Sequence, residues 1–421
     1  MKIIKRILFV LLGFIILCVG LLYLFNKEYL LKGIRITYLK GYTTAYIDDY
    51  PEFDNRKIEA GQPQTWPEHT AYNSVKATKK LQQINQKLGT VAFLIIKNDS
   101  IWYEDYAEGY SADSKTNSFS MAKSITSALL GKAIRDGFIE NLDQPVADFY
   151  SQFDKRLTVG DLSSMASGLN WQEDYYNPFG MTARAYLDEN IREQILNLKV
   201  IEEPGKEFKY LSGNTELLGM VIEKATQKSL SNYLAESFWQ PLGMHEDALW
   251  QLDSEESGME KAFCCLASNA RDFAKFGQLI LNMGLWGDEQ IVSSSYIEKI
   301  KNIIVDSVVE EDGSNYSYGL AFWTLDSVQQ DDGTMFPSAN KVHSSIGTDG
   351  QYVIIDFENN MVLVRNSLYY PMQFSSFDRK MIATGDLNTI NYPLTLPFGW
   401  FGNYSSFNPS VFLYLVSKSL Q

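Results

Sequence analysis

The sequence predicts an α+β fold in which strands from both ends of the chain form one antiparallel sheet, with a helical subdomain inserted between them. Strand-like runs lie near residue 90 and again between about residues 316 and 367, whereas residues from about 140 to 310 have mainly helical periodicity. An N-terminal apolar stretch long enough for one transmembrane helix precedes this body.

The N-terminal stretch carries Lys2, Lys5 and Arg6, followed by an uncharged run over residues 7–25. This pattern predicts a cytoplasmic start and a transmembrane anchor over residues 1–26, in a single-pass protein of the cell membrane. Because the positive charges precede the span, we expect the remaining chain to be extracytoplasmic. A cleaved signal peptide is the alternative, but small residues normally follow its shorter apolar region, and "LLYLFNKEYLLKG" is bulky.

The composition limits the possible partners and cross-links. With 421 residues and 45% hydrophobic content, the chain can bury a large core. A formal charge of −14 argues against a nucleic-acid partner, because phosphate binding needs clustered basic residues. We expect no disulfide framework, since Cys18 lies in the anchor, and the adjacent Cys264 and Cys265 could bridge only with strain.

We divide the remaining chain into a stalk and lead-in over residues 27–88 and a folded domain over residues 89–421. The domain should begin with a β-hairpin in "TVAFLIIKNDSIWYEDYAEGY". "TELLGMVIEKATQKSLSNYLAESF" and "NARDFAKFGQLILNMG" predict amphipathic helices. "YSYGLAFWTL", "NKVHSSIG", "QYVIIDF" and "MVLVRNS" predict successive antiparallel strands, and "PSVFLYLVSKSL" a final helix.

The segment "FSMAKSITSALLG" places Ser120 and Lys123 three residues apart at the start of an apolar helix. This spacing brings the two side chains to one helix face, where a desolvated amine can accept the serine proton. The alternative is a helix-capping serine beside a lysine that extends to solvent. A second Ser-x-x-Lys, Ser338 and Lys341, lies in a turn-rich stretch without a following helix and is expected to be incidental.

Tyr210 and Ser212 follow a Pro-Gly turn and precede a predicted helix in "EEPGKEFKYLSGNTELLG". A tyrosine close to an ammonium group can act as a general base, and a nearby hydroxyl can hydrogen-bond the lysine. By itself, such a tyrosine is more often part of the core or the surface.

The ordered set of these segments resembles the serine β-lactamase and penicillin-binding-protein superfamily. Its signature is Ser-x-x-Lys, then a Tyr-x-Asn-like element, then a Lys-Thr-Gly-like strand. The resemblance covers roughly residues 90–370 and is strongest to class C-like serine hydrolases, in the branch of aminohexanoate-oligomer hydrolases and esterases. It implies a β-lactamase/transpeptidase-like fold, an antiparallel sheet flanked by helices.

The resemblance implies roles for several residues. Ser120 matches the nucleophile, Lys123 its lysine partner and Tyr210 the tyrosine of the second motif. Ser212 occupies the position of the family's asparagine, which contacts the acyl amide of a β-lactam, so strong penicillin hydrolysis is not expected. Tyr175 and Tyr176 match a loop that borders the pocket, where they could contact substrate or pack against other aromatic residues.

The third motif is degenerate in "KVHSSIGTDGQ", which has no Lys-Thr-Gly. His343, Ser344 or Ser345 could replace its first residues, and Gly347 fits the close backbone approach of the motif. The resemblance implies an oxyanion hole formed by the backbone N–H of Ser120 and that of Ser345 or Ile346. Cys264 and Cys265 stand where many relatives have a Gly-Gly pair and could line the cleft.

We therefore expect a membrane-anchored serine hydrolase that cleaves an amide or ester in a small-molecule or short peptide-like substrate. A D,D-peptidase or weak β-lactamase acting on cell-wall substrates is the first alternative. The second is a catalytically silent sensor of peptidoglycan or peptide. The sequence has no Gly-x-Ser-x-Gly elbow and no zinc-protease motif, so an α/β-hydrolase triad or a zinc protease is not expected. It also has no phosphate-binding glycine loop, and no metal or organic cofactor is expected.

Overall fold

A computed structural model describes residues 2–87, 89–301, 305–309, 315–324, 328–329, 335–336 and 342–368. The second Ser-x-x-Lys and the predicted C-terminal helix lie outside the described residues. The helices are α1 Lys2–Leu24, α2 Tyr29–Ile36, α3 Lys79–Lys87, α4 Met121–Arg135, α5 Val159–Ser163, α6 Met181–Leu187, α7 Ile191–Leu196, α8 Ser212–Thr226, α9 Leu230–Leu234, α10 Ala270–Leu281 and α11 Ser294–Lys301.

Strands from both ends of the domain meet in one sheet, as the sequence predicts. The strands are β1 Asn55–Ile58, β2 Thr90–Lys97, β3 Ser100–Tyr106, β4 Thr116–Asn117, β5 Ala248–Gln251, β6 Leu266–Ser268, β7 Leu285–Trp286, β8 Glu289–Gln290, β9 Val305–Val309, β10 Asn315–Gly319, β11 Phe322–Thr324, β12 Val328–Gln329, β13 Met335–Phe336, β14 Val342–Gly347, β15 Gln351–Asp356 and β16 Met361–Ser367.

The main sheet has eight described strands in the order β3-β2-β16-β15-β14-β11-β10-β9, and every neighbouring pair is antiparallel. The predicted hairpin is present, with Asn98 and Asp99 both at positive φ, as a tight two-residue turn requires. β15 is buried along its whole length, so both of its faces are covered. Helix α10 packs on this sheet through Gly277, where an added Cβ would lie 2.7 Å from Val353 Cγ1.

Two predicted elements differ from the observed ones. The long helix expected over residues 215–238 is divided, because Gln227 adopts a left-handed conformation that ends α8 and Ser229 caps α9. The stretch "YSYGLAFWTL" forms two strands, β10 and β11, since Leu320 and Ala321 both have positive φ and turn the chain between them. Apolar side chains on both sides of these turns conceal them in the sequence pattern.

The expected stalk is in part a structured segment of the domain. β1 pairs with β5 in a second sheet of order β1-β5-β6-β4, and Ile47 and Ile58 are fully buried. These residues are fixed by contacts with distant parts of the chain, which local periodicity does not reveal. The division at residue 88 stays a prediction.

Helix α1 is long and apolar enough to cross a membrane, and none of its apolar window is buried by the domain. An N-terminal signal sequence shares these properties. The structure therefore contains one candidate membrane span among its described residues.

Candidate active site

Ser120 and Lys123 lie together at the N-terminal end of α4. Lys123 Nζ donates a hydrogen bond to Ser120 Oγ over 2.9 Å, although Lys123 is only 1% exposed. Ser120 occupies the N-cap position without accepting a capping hydrogen bond. The alternative of a capping serine beside a solvent-directed lysine therefore does not describe this pair. A serine hydroxyl held by a buried amine is suited to nucleophilic attack with proton transfer.

The residue before the serine has an unusual backbone conformation. Phe119 has a φ of +45° and its side chain is buried. Its N–H donates to Asn117 Oδ1 over 2.9 Å, which fixes the turn that presents Ser120. Non-glycine residues with positive φ are uncommon and concentrate at functional sites. Among the described residues, the Ser120 N–H donates no hydrogen bond, so it is available to an oxyanion.

A loop over residues 261–265 supplies the second partner of Lys123. Its Nζ donates to the Phe263 carbonyl over 2.9 Å. The loop is held from one side by Trp250, whose indole N–H donates to the carbonyls of Lys261 and Cys264. From the other side, a carboxyl oxygen of the buried Glu216 accepts the Phe263 N–H. The 261–265 loop therefore fixes the position of the Lys123 amine.

Cys264 and Cys265 in this loop form a disulfide with each other, contrary to the expected absence of a disulfide. Cys265 has a φ of +74°, a left-handed conformation that is uncommon for a residue other than glycine. Both residues are buried, and Cys264 contributes its backbone carbonyl to Trp250. The pair therefore helps to shape the loop that contacts Lys123.

Tyr210 lies beside Lys123 and contacts it through its ring, whereas the sequence predicts that its phenol takes part in proton transfer. The centroid of the ring is 4.9 Å from Lys123 Nζ, a distance suited to a cation–π interaction. Among the described residues, its phenol has no hydrogen bond to Ser120 or Lys123. Tyr210 also packs beside Trp323 and Tyr318, with centroid distances of 5.6 and 6.2 Å. These three aromatic rings therefore line one side of the site.

Ser212 lies two residues after Tyr210, where the second motif has an asparagine. Glu173 holds Ser212 in place. The Ser212 N–H and hydroxyl donate to the two Glu173 carboxylate oxygens over 2.6 and 2.8 Å. Trp171 Nε1 also donates to Glu173, over 2.7 Å. Because the N-cap residue Leu211 has no side-chain acceptor, Glu173 caps α8 from a separate loop.

Replacing Glu173 by glutamine is expected to lower the free energy of unfolding by about 1–3 kcal/mol, because three donors would share one carbonyl oxygen. Turnover should also fall, since Ser212 and Tyr210 stand at the loosened end of α8. Thermal unfolding and ester hydrolysis would measure both effects. Asp174→Asn is the matched control, because Asp174 accepts only two backbone N–H groups in an exposed turn. Equal stability of the two variants would contradict the capping role.

The candidate third motif lies on β14, and of its two serines Ser345 is the one whose side chain contacts α4. Ser345 Oγ donates to the Met121 carbonyl over 3.3 Å, while Ser344 Oγ donates only to strand carbonyls. A Cβ on Gly347 would lie 2.2 Å from the Ser118 carbonyl oxygen, so only glycine permits this approach. In the described residues, β14 pairs with β11 only through His343 and Ser344. Beyond these two residues β14 has no described pairing with β11, and Ser345 there contacts the start of α4.

His343, the other candidate for this motif, points elsewhere. It is fully buried, and its ring packs edge-on against Phe357 at 5.7 Å. Neither ring nitrogen has a hydrogen bond of normal length within the described residues. Burial lowers the pKa of the imidazole to about 4. His343 therefore fills the core, and its contacts give no support to a role in the site.

The buried His343 predicts a loss of stability in acid. The folded state keeps the imidazole neutral down to about pH 4, whereas the unfolded chain binds a proton near pH 6.5. The free energy of unfolding should therefore fall between about pH 6.5 and 4, by up to about 3 kcal/mol. Denaturant titrations of wild type and His343→Leu across this range would test it. The variant should have a flatter profile, and parallel profiles would contradict the prediction.

Tyr175 and Tyr176 lie on the loop that follows Glu173, and both are exposed, by 57% and 52%. The Tyr175 phenol is close enough to Glu173 and Tyr210 to interact with them electrostatically, and it also lies near Ser212. This places Tyr175 at the border of the site. The Tyr176 backbone N–H donates to Asp174 Oδ1 over 2.9 Å.

Several residues of the site were not found from the sequence. Glu173, Glu216 and Trp250 come from segments without a recognisable motif, and only their side-chain partners reveal them. The Phe263 carbonyl is a backbone group, which no side-chain pattern can signal. Among the described residues, one exposed group, Asp113, His245 and Glu246, has metal-ligand spacing, and none of the three contacts Ser120, Lys123 or Tyr210.

A comparison with protein-family models matches residues 74–372 to the family described as Beta-lactamase. Among curated proteins, the 6-aminohexanoate-dimer hydrolase of Paenarthrobacter ureafaciens is 23% identical over 306 residues, covering 68% of this chain and 74% of that protein. The matched range includes every residue of the site described above. It also includes the predicted Ser-x-x-Lys, Tyr-x-Ser and third-motif segments.

Solved structures support the same fold. A Bacillus anthracis homologue of 6-aminohexanoate-dimer hydrolase has a TM-score of 0.63 and 25% identity, covering 80% of this chain and 88% of that one. EstCE1, a hydrolase with promiscuous acyltransferase activity, has a TM-score of 0.56 and 15% identity, covering 69% and 93%. At this identity the second similarity shows the fold alone.

Proposed function

The chain belongs to the beta-lactamase family, and from this premise we propose that it is a serine hydrolase that cleaves an amide or ester bond through an acyl-enzyme on Ser120. The observation that carries the proposal is the 2.9 Å hydrogen bond from the buried Lys123 amine to Ser120 Oγ. A buried amine next to a hydroxyl is the arrangement in which the amine can relay the hydroxyl proton.

In the proposed reaction, Ser120 Oγ forms a bond to the substrate carbonyl carbon as its proton passes to Lys123 Nζ, which enters this step as the unprotonated amine with Tyr210 beside it as its partner. The oxyanion is held by the Ser120 N–H and an N–H from Ser345 or Ile346. The same pair returns the proton to the leaving amine or alcohol as its bond to carbon breaks. Water then attacks the acyl-enzyme, which releases the acid and restores Ser120.

Two features support linear amides or esters over β-lactams as substrates. Glu173 occupies both the N–H and the hydroxyl of Ser212, so this position offers no amide side chain to an acyl group. The Paenarthrobacter ureafaciens relative is named for hydrolysis of a 6-aminohexanoate dimer. Short, flexible acyl compounds are therefore the substrate class that we propose.

We also propose that α1 anchors the domain in the membrane with the domain outside the cytoplasm. The exposed apolar helix and the basic residues before it support this orientation. Externally added protease should digest the domain in intact spheroplasts. Protection of the domain until the spheroplasts are lysed would contradict the orientation.

The test of the hydrolase proposal uses the full chain in detergent with a fluorophosphonate, a nitrophenyl ester and a penicillin. Intact-mass measurements should show one fluorophosphonate adduct, mapped to Ser120 and lost in Ser120→Ala, together with ester turnover. A stable penicilloyl adduct would instead favour the D,D-peptidase or weak β-lactamase alternative. No adduct with any probe on folded protein would refute the hydrolase and leave a catalytically silent sensor.

A further inference from the structure

In the described chain beyond Phe25, most of the large apolar side chains that are exposed lie in two neighbouring segments. The first follows the candidate membrane span and includes Ile34, Tyr38, Leu39 and Tyr42. The second is the loop at the border of the site, with Tyr175, Tyr176 and Phe179. Other exposed apolar residues, such as Phe138 and Leu285, are scattered. Grouped exposed apolar side chains mark interaction surfaces, whereas single ones are ordinary.

The two segments contact each other directly. Tyr29 at the start of α2 donates its phenol proton to the Pro178 carbonyl over 3.0 Å. Gly33 of α2 approaches Leu187, where an added Cβ would lie 2.9 Å from Cδ1. Helix α2 therefore packs on α6 and on the loop over residues 174–180. We call the exposed apolar residues of these two segments the juxtamembrane surface.

This surface must lie near the membrane that α1 spans. Helix α1 ends at Leu24, and Tyr29 is five residues further along, a distance of at most about 17 Å for extended chain. The headgroup layer on each side of a bilayer is several ångströms thick. Because Tyr29 contacts the loop at Pro178, that loop is held within reach of the headgroups.

The charges of the surface differ from those of the whole protein. Residues 26–42 contain four basic residues and one acidic residue, in a chain with a formal charge of −14. Lys40 Nζ is paired with Glu52 over 2.7 Å and Lys32 Nζ lies 5.1 Å from the centre of the Phe53 ring, which leaves Lys27 and Arg35 to meet lipid. Basic residues mixed with tyrosine and leucine beside a span are typical of segments that lie in the membrane interface. The loop from residue 175 to residue 181 has no charged residue that would oppose this placement.

We infer that the juxtamembrane surface lies on the headgroups of an anionic bilayer and holds the entrance of the Ser120 site at the membrane. Resting on the proposed function, this makes amphiphilic esters or amides dissolved in the membrane interface the favoured substrates. Phe179 inserts between headgroups, and Lys27 and Arg35 of the first segment contact lipid phosphates. The acidic remainder of the domain faces away from the membrane.

The test uses the full chain in lipid nanodiscs, with a fluorophore attached to Phe179→Cys in a Cys18→Ser background. Phe138→Cys is the matched control, because Phe138 is also exposed and lies beyond the far end of α4, about 22 Å from Ser120 along the helix. Headgroup-labelled quencher lipids should quench the label at 179 at least several-fold more than the label at 138, and more in anionic than in zwitterionic discs.

A second variant checks the origin of the signal. Tyr38→Ser combined with Leu39→Ser removes two exposed side chains, so the fold should be kept while quenching at 179 falls. Equal quenching at 179 and 138, or quenching at 179 that ignores lipid charge, would overturn the inference. These readouts need no turnover. Failure of Ser120 to form an adduct with a fluorophosphonate or any other probe on folded protein would refute the proposed function instead, so the two failures can be told apart.

Discussion

Replacing Lys123 by methionine is expected to lower ester turnover on the order of 10³-fold or more, because the proton of Ser120 loses its nearest acceptor. The fold should be retained, since methionine fills a similar path and leaves no buried charge. The Phe263 carbonyl loses one donor, which costs about 1 kcal/mol. Single-turnover kinetics with a nitrophenyl ester and thermal unfolding would separate these effects.

Lys275→Met provides the matched control for this prediction. Lys275 is also buried, but its amine donates to the carbonyls of Gln64 and Gly243 and has no contact with Ser120. The control should lose stability while the folded fraction keeps its turnover. If Lys123→Met retained turnover within about tenfold of wild type, the proton-relay role would be wrong, because general acid–base groups contribute more than this.

Replacing Trp250 by alanine is expected to lower the free energy of unfolding by about 3–5 kcal/mol, the usual cost of removing a fully buried large aromatic side chain. Trp250 has no exposed surface, and its indole N–H is shared by two carbonyls of the 261–265 loop. The alanine variant removes both the packing and the donor. Denaturant titration of the full chain in detergent would measure the change.

Trp250→Phe separates packing from hydrogen bonding. Phenylalanine keeps much of the apolar volume but cannot donate, so the loss of stability should be smaller, about 1–2 kcal/mol. Turnover should still fall, because the 261–265 loop also positions Lys123 through Phe263. If the phenylalanine variant kept wild-type turnover and an unchanged environment around Lys123, the loop would hold its shape without the indole N–H.

The sequence predicted the fold because its strands and helices have clear local patterns. The run "QYVIIDF" is apolar and bounded by turns, and β15 forms there. Ser120 and Lys123 were predictable for the same reason, since a spacing of three residues on a helix brings side chains together. Family resemblance then supplied Tyr210, which no local pattern distinguishes from other aromatic residues.

Contacts between distant segments could not be predicted in this way. Glu173 caps α8 across 39 residues of sequence, and Glu216 reaches Phe263 across 47. Neither carboxylate belongs to a motif, and each is defined only by the donors that surround it. The integration of β1 into a sheet with β5 was missed for the same reason, because a short polar strand carries little alternation.

The pairing of β2 with β16 has a consequence for how the domain is made. Leu94 lies opposite Val364, so one edge of an early, almost wholly buried strand pairs with the neighbouring β3, whereas the other edge has its partner only near the end of the described chain. Contacts of such high sequence separation slow folding, because the chain must close a long loop before they form. During synthesis, the unpaired apolar edge of β2 is exposed until β16 emerges, and in this interval the nascent chain is most prone to aggregation.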